Sequence, residues 1–217
     1  MTGLAAGEEV SIAGLTLRSG VLGGKAATAL VVGQCTGTVV LADLFAGGSA
    51  VTATPALVRV TGSQQVNFDA CNFGLLVSGT QAPTEGMIVE DSNVDLNACV
   101  LKGAAAPALF SPSPLFDGAS ALAAMGSVVR ISLSLSLSDL TGGAGMGSSP
   151  FFSPGAITSG GAAVDATTSI VFARGGAGNQ LKGGLGGFAV VGGLPTYGPG
   201  GPAVALGPDS LLSTTGD

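Results

Sequence analysis

Apolar and polar positions alternate in two matching phrases, "QVNFDACNF" from Gln65 and "NVDLNACVL" from Asn93. At a shift of 28, Val66 falls over Val94, Phe68 over Leu96, Cys71 over Cys99 and Phe73 over Leu101. Upstream, "ALVVGQCTGTVVLADL" from Ala29 lies over "ALVRVTGSQQVNFDAC" from Ala56 at a shift of 27. That alignment sets Ala29-Leu30-Val31 on Ala56-Leu57-Val58 and Val39 on Val66. "VSIAGLTL" from Val10 fits the same template, with Leu15 at the cysteine position. "VRISLSLSLSDL" from Val129 fits too, and "SIVFARGG" from Ser169 fits more weakly. The spacing stretches from 27–29 residues early in the chain to 35–41 later.

Period-two alternation predicts short strands, and a recurrence of this length predicts a repeat architecture. Leucine-rich repeats are excluded because their L-x-x-L-x-L-x-x-N signature is missing. Helical repeats are excluded because Gly, Val, Ser and Thr dominate without a 3.6-residue stripe. One repeat cannot bury its apolar side alone. Stacking repeats sets Val on Val and Cys on Cys at about 4.8 Å, the spacing of neighbouring strands. Val66, Phe68, Cys71, Phe73, Val94, Leu96, Cys99 and Leu101 are therefore the predicted core.

The phrase V-x-[LF]-x-x-C-x-[FL], followed by Gly74 and Gly103, resembles the coil repeat of the right-handed parallel β-helix proteins, the pectin-lyase-like superfamily. The resemblance is clear over residues 10–103, fair over 119–143 and thin after 160. It implies an all-β solenoid of about six to seven coils, forming a single domain over 1–217 with Gly/Pro-rich loop insertions in the C-terminal half. It implies no single activity, because such proteins include polysaccharide lyases, glycoside hydrolases, adhesins and tailspikes.

Two regions depart from the period. "ISLSLSLSDL" alternates without interruption, placing Ile131, Leu133, Leu135 and Leu137 on one face, and is longer than a usual coil strand. Residues 142–161 and 173–202 are rich in Gly and Pro; Phe151, Phe152, Phe188, Val190 and Val191 within them favour packed loops over low-complexity linkers.

Charged residues are only 9% of the chain, against roughly 25% in an average domain, and 38 of 217 residues are Gly. No apolar run approaches the ~20 residues of a membrane helix. "MTGLAAGEEV" carries Glu8 and Glu9 where a signal peptide needs basic residues and an apolar stretch. The net charge is −6 and the seven basic residues are scattered singly, which argues against nucleic acid as a partner. Three cysteines without a Cys-x-x-Cys make no disulfide framework. The chain has no His, which removes the commonest general base and the Ser-His-Asp triad. "GGAGNQLKGG" contains no phosphate-loop motif, and its glycines read as turn residues.

The repeated strand presents an outward polar set: Asn67, Asp95 and Arg130 in one row, and Asp69, Asn97 and Ser132 in the next. The resemblance to β-helix lyases and hydrolases implies that acid/base and calcium residues would sit on such a face. Asp69, Asp95 and Arg130 are then the catalytic candidates, although exposed Asp and Asn on strands also serve only to solubilise a wall or pair across it. Glu90 and Asp91 are the calcium candidates; no other cofactor is expected. With no Trp and a single Tyr, Tyr197, the chain is short of aromatic platforms for sugars.

Low charge, Gly/Ala/Ser richness and no evident end cap point to a structural, adhesin-like or filament-forming protein of the cell surface or extracellular space, with itself as the partner. A polysaccharide-acting lyase or glycoside hydrolase, or an inactive carbohydrate-binding relative, is the alternative.

Overall fold

A computed structural model of the chain describes residues 1–18, 21–22, 25–26, 28–47, 49–50, 56–74, 77–78, 84–106, 117–133, 139–145, 157–175, 180–191 and 194–216. Successive strands of the repeat fall in turn on three parallel sheets, or walls. The first wall has seven strands: Glu9–Ala13, Thr38–Ala42, Gln65–Asp69, Asn93–Asn97, Val128–Leu133, Ile170–Gly175 and Leu211–Gly216. The second has six: Thr16–Arg18, Phe45–Gly47, Asn72–Gly74, Val100–Lys102, Asp139–Thr141 and Gln180–Lys182. The third also has six: Leu30–Gly33, Ala56–Thr61, Glu85–Glu90, Leu122–Met125, Val164–Thr167 and Val204–Leu206. The protein is all-β, with its parallel strands in stacked sheets, an arrangement compatible with a parallel β-helix.

The predicted core is the observed one. Val66, Phe68, Phe73, Val94 and Leu101 have no exposure, and Cys71, Leu96 and Cys99 have 2% at most. Val66 pairs with Val94 and Phe68 with Leu96, as the repeated phrase requires. The rings of Phe68 and Phe73 meet edge to face, with centroids 5.6 Å apart.

Corners leading into and out of the first wall turn on a left-handed residue. Between the third and first walls these are Gln34, Gly62, Asp91, Gly126, Thr168 and Asp209; between the first and second they include Asp43, Ala70 and Ala98. Gly62 and Gly126 meet this demand without steric cost, whereas the others hold a strained backbone. The residue after each corner of the first kind points inward, and the sequence puts Cys35, Ser63, Ser92, Ser127, Ser169 and Ser210 there. Each backbone N–H donates to the next side chain: Ser63 to Ser92 Oγ at 3.0 Å, Ser92 to Ser127 at 3.2 Å and Ser127 to Ser169 at 3.1 Å. Each of these hydroxyls donates in turn to the carbonyl two residues back, as Ser92 does to Glu90 at 2.7 Å. This ladder satisfies polar groups that the corner would otherwise bury unpaired.

Several expectations are corrected. Leu30 pairs with Val58 and Val31 with Arg59, not with Leu57 and Val58. Between Gly33 and Thr38 the first corner has one residue more than its neighbour between Thr61 and Gln65, so the shift is 28 in the third wall and 27 in the first. The stretch 173–202 is not one insertion, because Ile170–Gly175 and Gln180–Lys182 are wall strands. Within it, Phe188–Val191 pairs antiparallel with Leu194–Tyr197, and the Phe188 and Tyr197 rings lie 5.2 Å apart. The repeat runs on to Leu211–Gly216, with Val171 buried and Leu212 beside it. The glycines of 183–184 are not turn residues. Outgoing residues 103–104, 142–143 and 183–184 interleave with returning residues 118–119, 160–161 and 201–202, held by a relay of backbone hydrogen bonds. Gly143 donates to Ala119, Gly161 to Gly143, Gly184 to Gly161 and Gly201 to Gly184, each at 2.8 Å. A Cβ on Gly143 would overlap the Ala104 carbonyl, and one on Gly161 the Ala119 carbonyl. Of the "ISLSLSLSDL" face, Ile131 is buried and Leu133 partly so, while Leu135 and Leu137 lie outside the described residues, as do Phe151 and Phe152.

Candidate functional site

The outer face of the first wall carries the polar rows expected from the sequence. Asn67 pairs with Asp95 and Asp95 with Arg130; Asp69 pairs with Asn97 and Asn97 with Ser132. Asp69 and Asp95 thus sit on neighbouring strands and diagonally apart. Arg130 Nη1 donates to Asp95 Oδ1 at 3.2 Å, which joins two of the three catalytic candidates in an ion pair. Asp69 is exposed and stands apart from that pair.

Beyond Arg130 the rows continue through residues that carry no motif in the sequence. Phe172 pairs with Arg130 and Arg174 with Ser132; Ser213 and Thr215 follow on the last strand. The Arg130 guanidinium lies over the Phe172 ring, 5.9 Å from its centroid, while Phe172 remains 40% exposed. These side chains line a shallow groove of about 320 Å³. Strand alternation puts Val171 inside and Phe172 outside, but nothing in a lone Phe-x-Arg announces a groove.

A second hollow, of about 200 Å³, opens on the third wall between Glu85, Glu90, Ala123, Met125, Asp165 and Thr167. Glu85 stands outside the repeated phrases, so the pattern assigns it no place. Its Oε2 is buried with no hydrogen-bond partner. Burial pushes its carboxyl up to about 7; a backbone hydrogen bond from Ser120 works against this and the Asp165 charge adds to it. Glu90, a calcium candidate, is taken up by Arg59, whose Nη2 and Nε donate to Oε2 at 2.7 and 3.1 Å. Asp91, the other calcium candidate, is a left-handed corner residue. Among the described residues no group of three His, Cys, Asp or Glu side chains is placed to hold a metal ion.

The three thiols are free and buried. Cys71 and Cys99 stack, each thiol donating to the carbonyl two residues back at 3.3 Å. A hydrogen bond to Cys71, together with burial, holds the Cys99 thiol protonated, and the same hydrogen bond lowers Cys71; both sulfurs are buried in the core, which closes them to reagents. No helix among the described residues is long and apolar enough to cross a membrane.

No protein-family model, curated protein or solved structure matches this chain.

Proposed function

We propose that the chain is a structural, self-associating module: a right-handed parallel β-helix of six to seven coils, pectin-lyase-like in its repeat, whose copies stack end to end. Right-handedness follows from the strong preference of parallel crossover connections. The observation that carries the reading is the exposure of inward columns in the two outermost rungs. Leu15 occupies the column of Leu44 and Cys71, yet is 47% exposed where they are 2% and 1%. Leu206 continues the column of Ala166 and is 47% exposed where Ala166 has none. Each end presents an apolar interior and a strand edge that the opposite end of another copy can cover, and a heterologous contact of that kind propagates without closing. Charged residues are only 9% of the chain, so the repulsion that a net charge of −6 sets between copies is spread thinly over the surface.

Sedimentation velocity over a wide concentration range tests this. End-to-end stacking gives a mass that grows with concentration through no fixed stoichiometry, and Leu206→Lys stops that growth. One constant mass for both proteins would overturn it.

A further inference from the structure

Charges on the outer face of the first wall follow a self-complementary order. Along the stack, the outward charged positions after Glu9 are Asp69, Asp95, Arg130 and Arg174, each on its own consecutive strand. Two acids are followed by two bases, and the midpoint lies between Asn93–Asn97 and Val128–Leu133. Asp95 and Arg130 share one column of the wall; Asp69 and Arg174 share the next, joined through Asn97 and Ser132. We infer that this face pairs with the same face of a second copy about a two-fold axis running along the strand direction through that midpoint.

Such an axis keeps each column and reverses the order of strands. Asp69 then meets Arg174 of the second copy, and Asp95 meets its Arg130, with both contacts repeated by symmetry, as an isologous interface requires. No other axis position on this face opposes all four charges by sign. Asp69 and Arg174 lie three strand spacings apart, about 14 Å, so a contact between these two is made only between copies. Both are exposed. Arg130 reaches Asp95 through one nitrogen only, which leaves guanidinium donors for the second carboxylate. Phe172, 40% exposed beside Arg174, supplies apolar contact near the rim of the four-charge centre.

The face is roughly 30 by 17 Å, so pairing buries on the order of 1,000 Å² in total, the lower end for specific interfaces. A weak, salt-sensitive dimer is expected.

This inference rests on the reading that copies of the chain associate, but it concerns a different surface. It is therefore tested in Leu206→Lys protein, where end stacking is blocked. At low salt this protein is expected to be dimeric at roughly 100 µM, and Asp69→Arg or Arg174→Glu, added singly, to weaken the dimer about tenfold or more. Mixing the two single variants in equal amounts should restore the dimer. In the mixed pair one contact has both charges reversed, so its signs again oppose, and the other contact keeps the native Asp69 and Arg174. A monomer at that concentration, or a dimer indifferent to both charge reversals, would overturn wall pairing and leave end stacking standing. Failure of the mixture to recover would reject the two-fold register.

Discussion

Ser92 donates its backbone N–H to the hydroxyl of Ser127, one repeat further on, at 3.2 Å. Ser127 Oγ also donates to the Met125 carbonyl at 2.8 Å, so one buried hydroxyl satisfies a donor in the neighbouring repeat and an acceptor in its own.

Ser127→Ala leaves the Ser92 N–H buried without an acceptor and should cost about 1–3 kcal/mol in denaturant unfolding. Ser127→Cys should cost less, because Cys35 fills the equivalent position natively and its thiol donates to Gly33 at 3.4 Å.

Phe68 fills the centre of the stack with no exposure and packs edge-on with Phe73. Phe68→Ala should lower stability by about 3–5 kcal/mol through the cavity it leaves. An unchanged melting temperature would mean that the inward register is wrong.

How much of this is legible in the sequence depends on what kind of signal carries it. Val66, Phe68, Cys71 and Phe73 can be assigned inward because strand alternation writes the buried face directly into the chain. The serine ladder is equally regular, with Ser63, Ser92, Ser127, Ser169 and Ser210 each preceding an inward Val or Leu by two or three residues. It escapes notice because a buried serine looks like any loop serine until its partner is known. Residue spacing misplaces Val31 because one extra corner residue shifts one wall and leaves the next unchanged. Gly184 reads as a turn residue and Gly143, Gly161 and Gly201 as loop residues, because composition does not distinguish a bend or loop from a close backbone crossing. The Asp95–Arg130 pair follows from register, whereas Glu85 and Asp165 converge from strands of no recognisable motif.

The glycine crossing makes a sharp contrast available. Gly161→Ala would drive a methyl into the Ala119 carbonyl and should destabilise by roughly 2–3 kcal/mol or more. At Gly200 the nearest atom to an added Cβ is the Gly184 carbonyl oxygen at 3.4 Å, so Gly200→Ala should stay within about 0.5 kcal/mol of the parent. Thermal unfolding of the two variants side by side is the check.

Glu85 links stability to pH. Its carboxyl is raised from 4.5 to about 7 in the folded chain, so the folded state binds the proton more tightly than the unfolded state. The sign is that stability is fullest below about pH 4.5, falls as pH rises through 7, and is flat beyond, with a total change of about 3 kcal/mol. Glu85→Gln removes that slope, and the variant should gain stability over the parent at pH 8 but little at pH 4. Paired denaturant titrations at the two pH values measure it.

End-to-end stacking is tested most directly by complementation between two blocked chains, both carrying Asp69→Arg so that wall pairing is silent. Leu15→Lys spoils one end and Leu206→Lys the other, so each chain keeps a single working end of opposite kind. Head-to-tail stacking predicts that each is monomeric alone and that an equal mixture forms a one-to-one heterodimer and nothing larger, read by sedimentation velocity. A mixture that stays monomeric, or a single variant that dimerises through its one intact end, would contradict it.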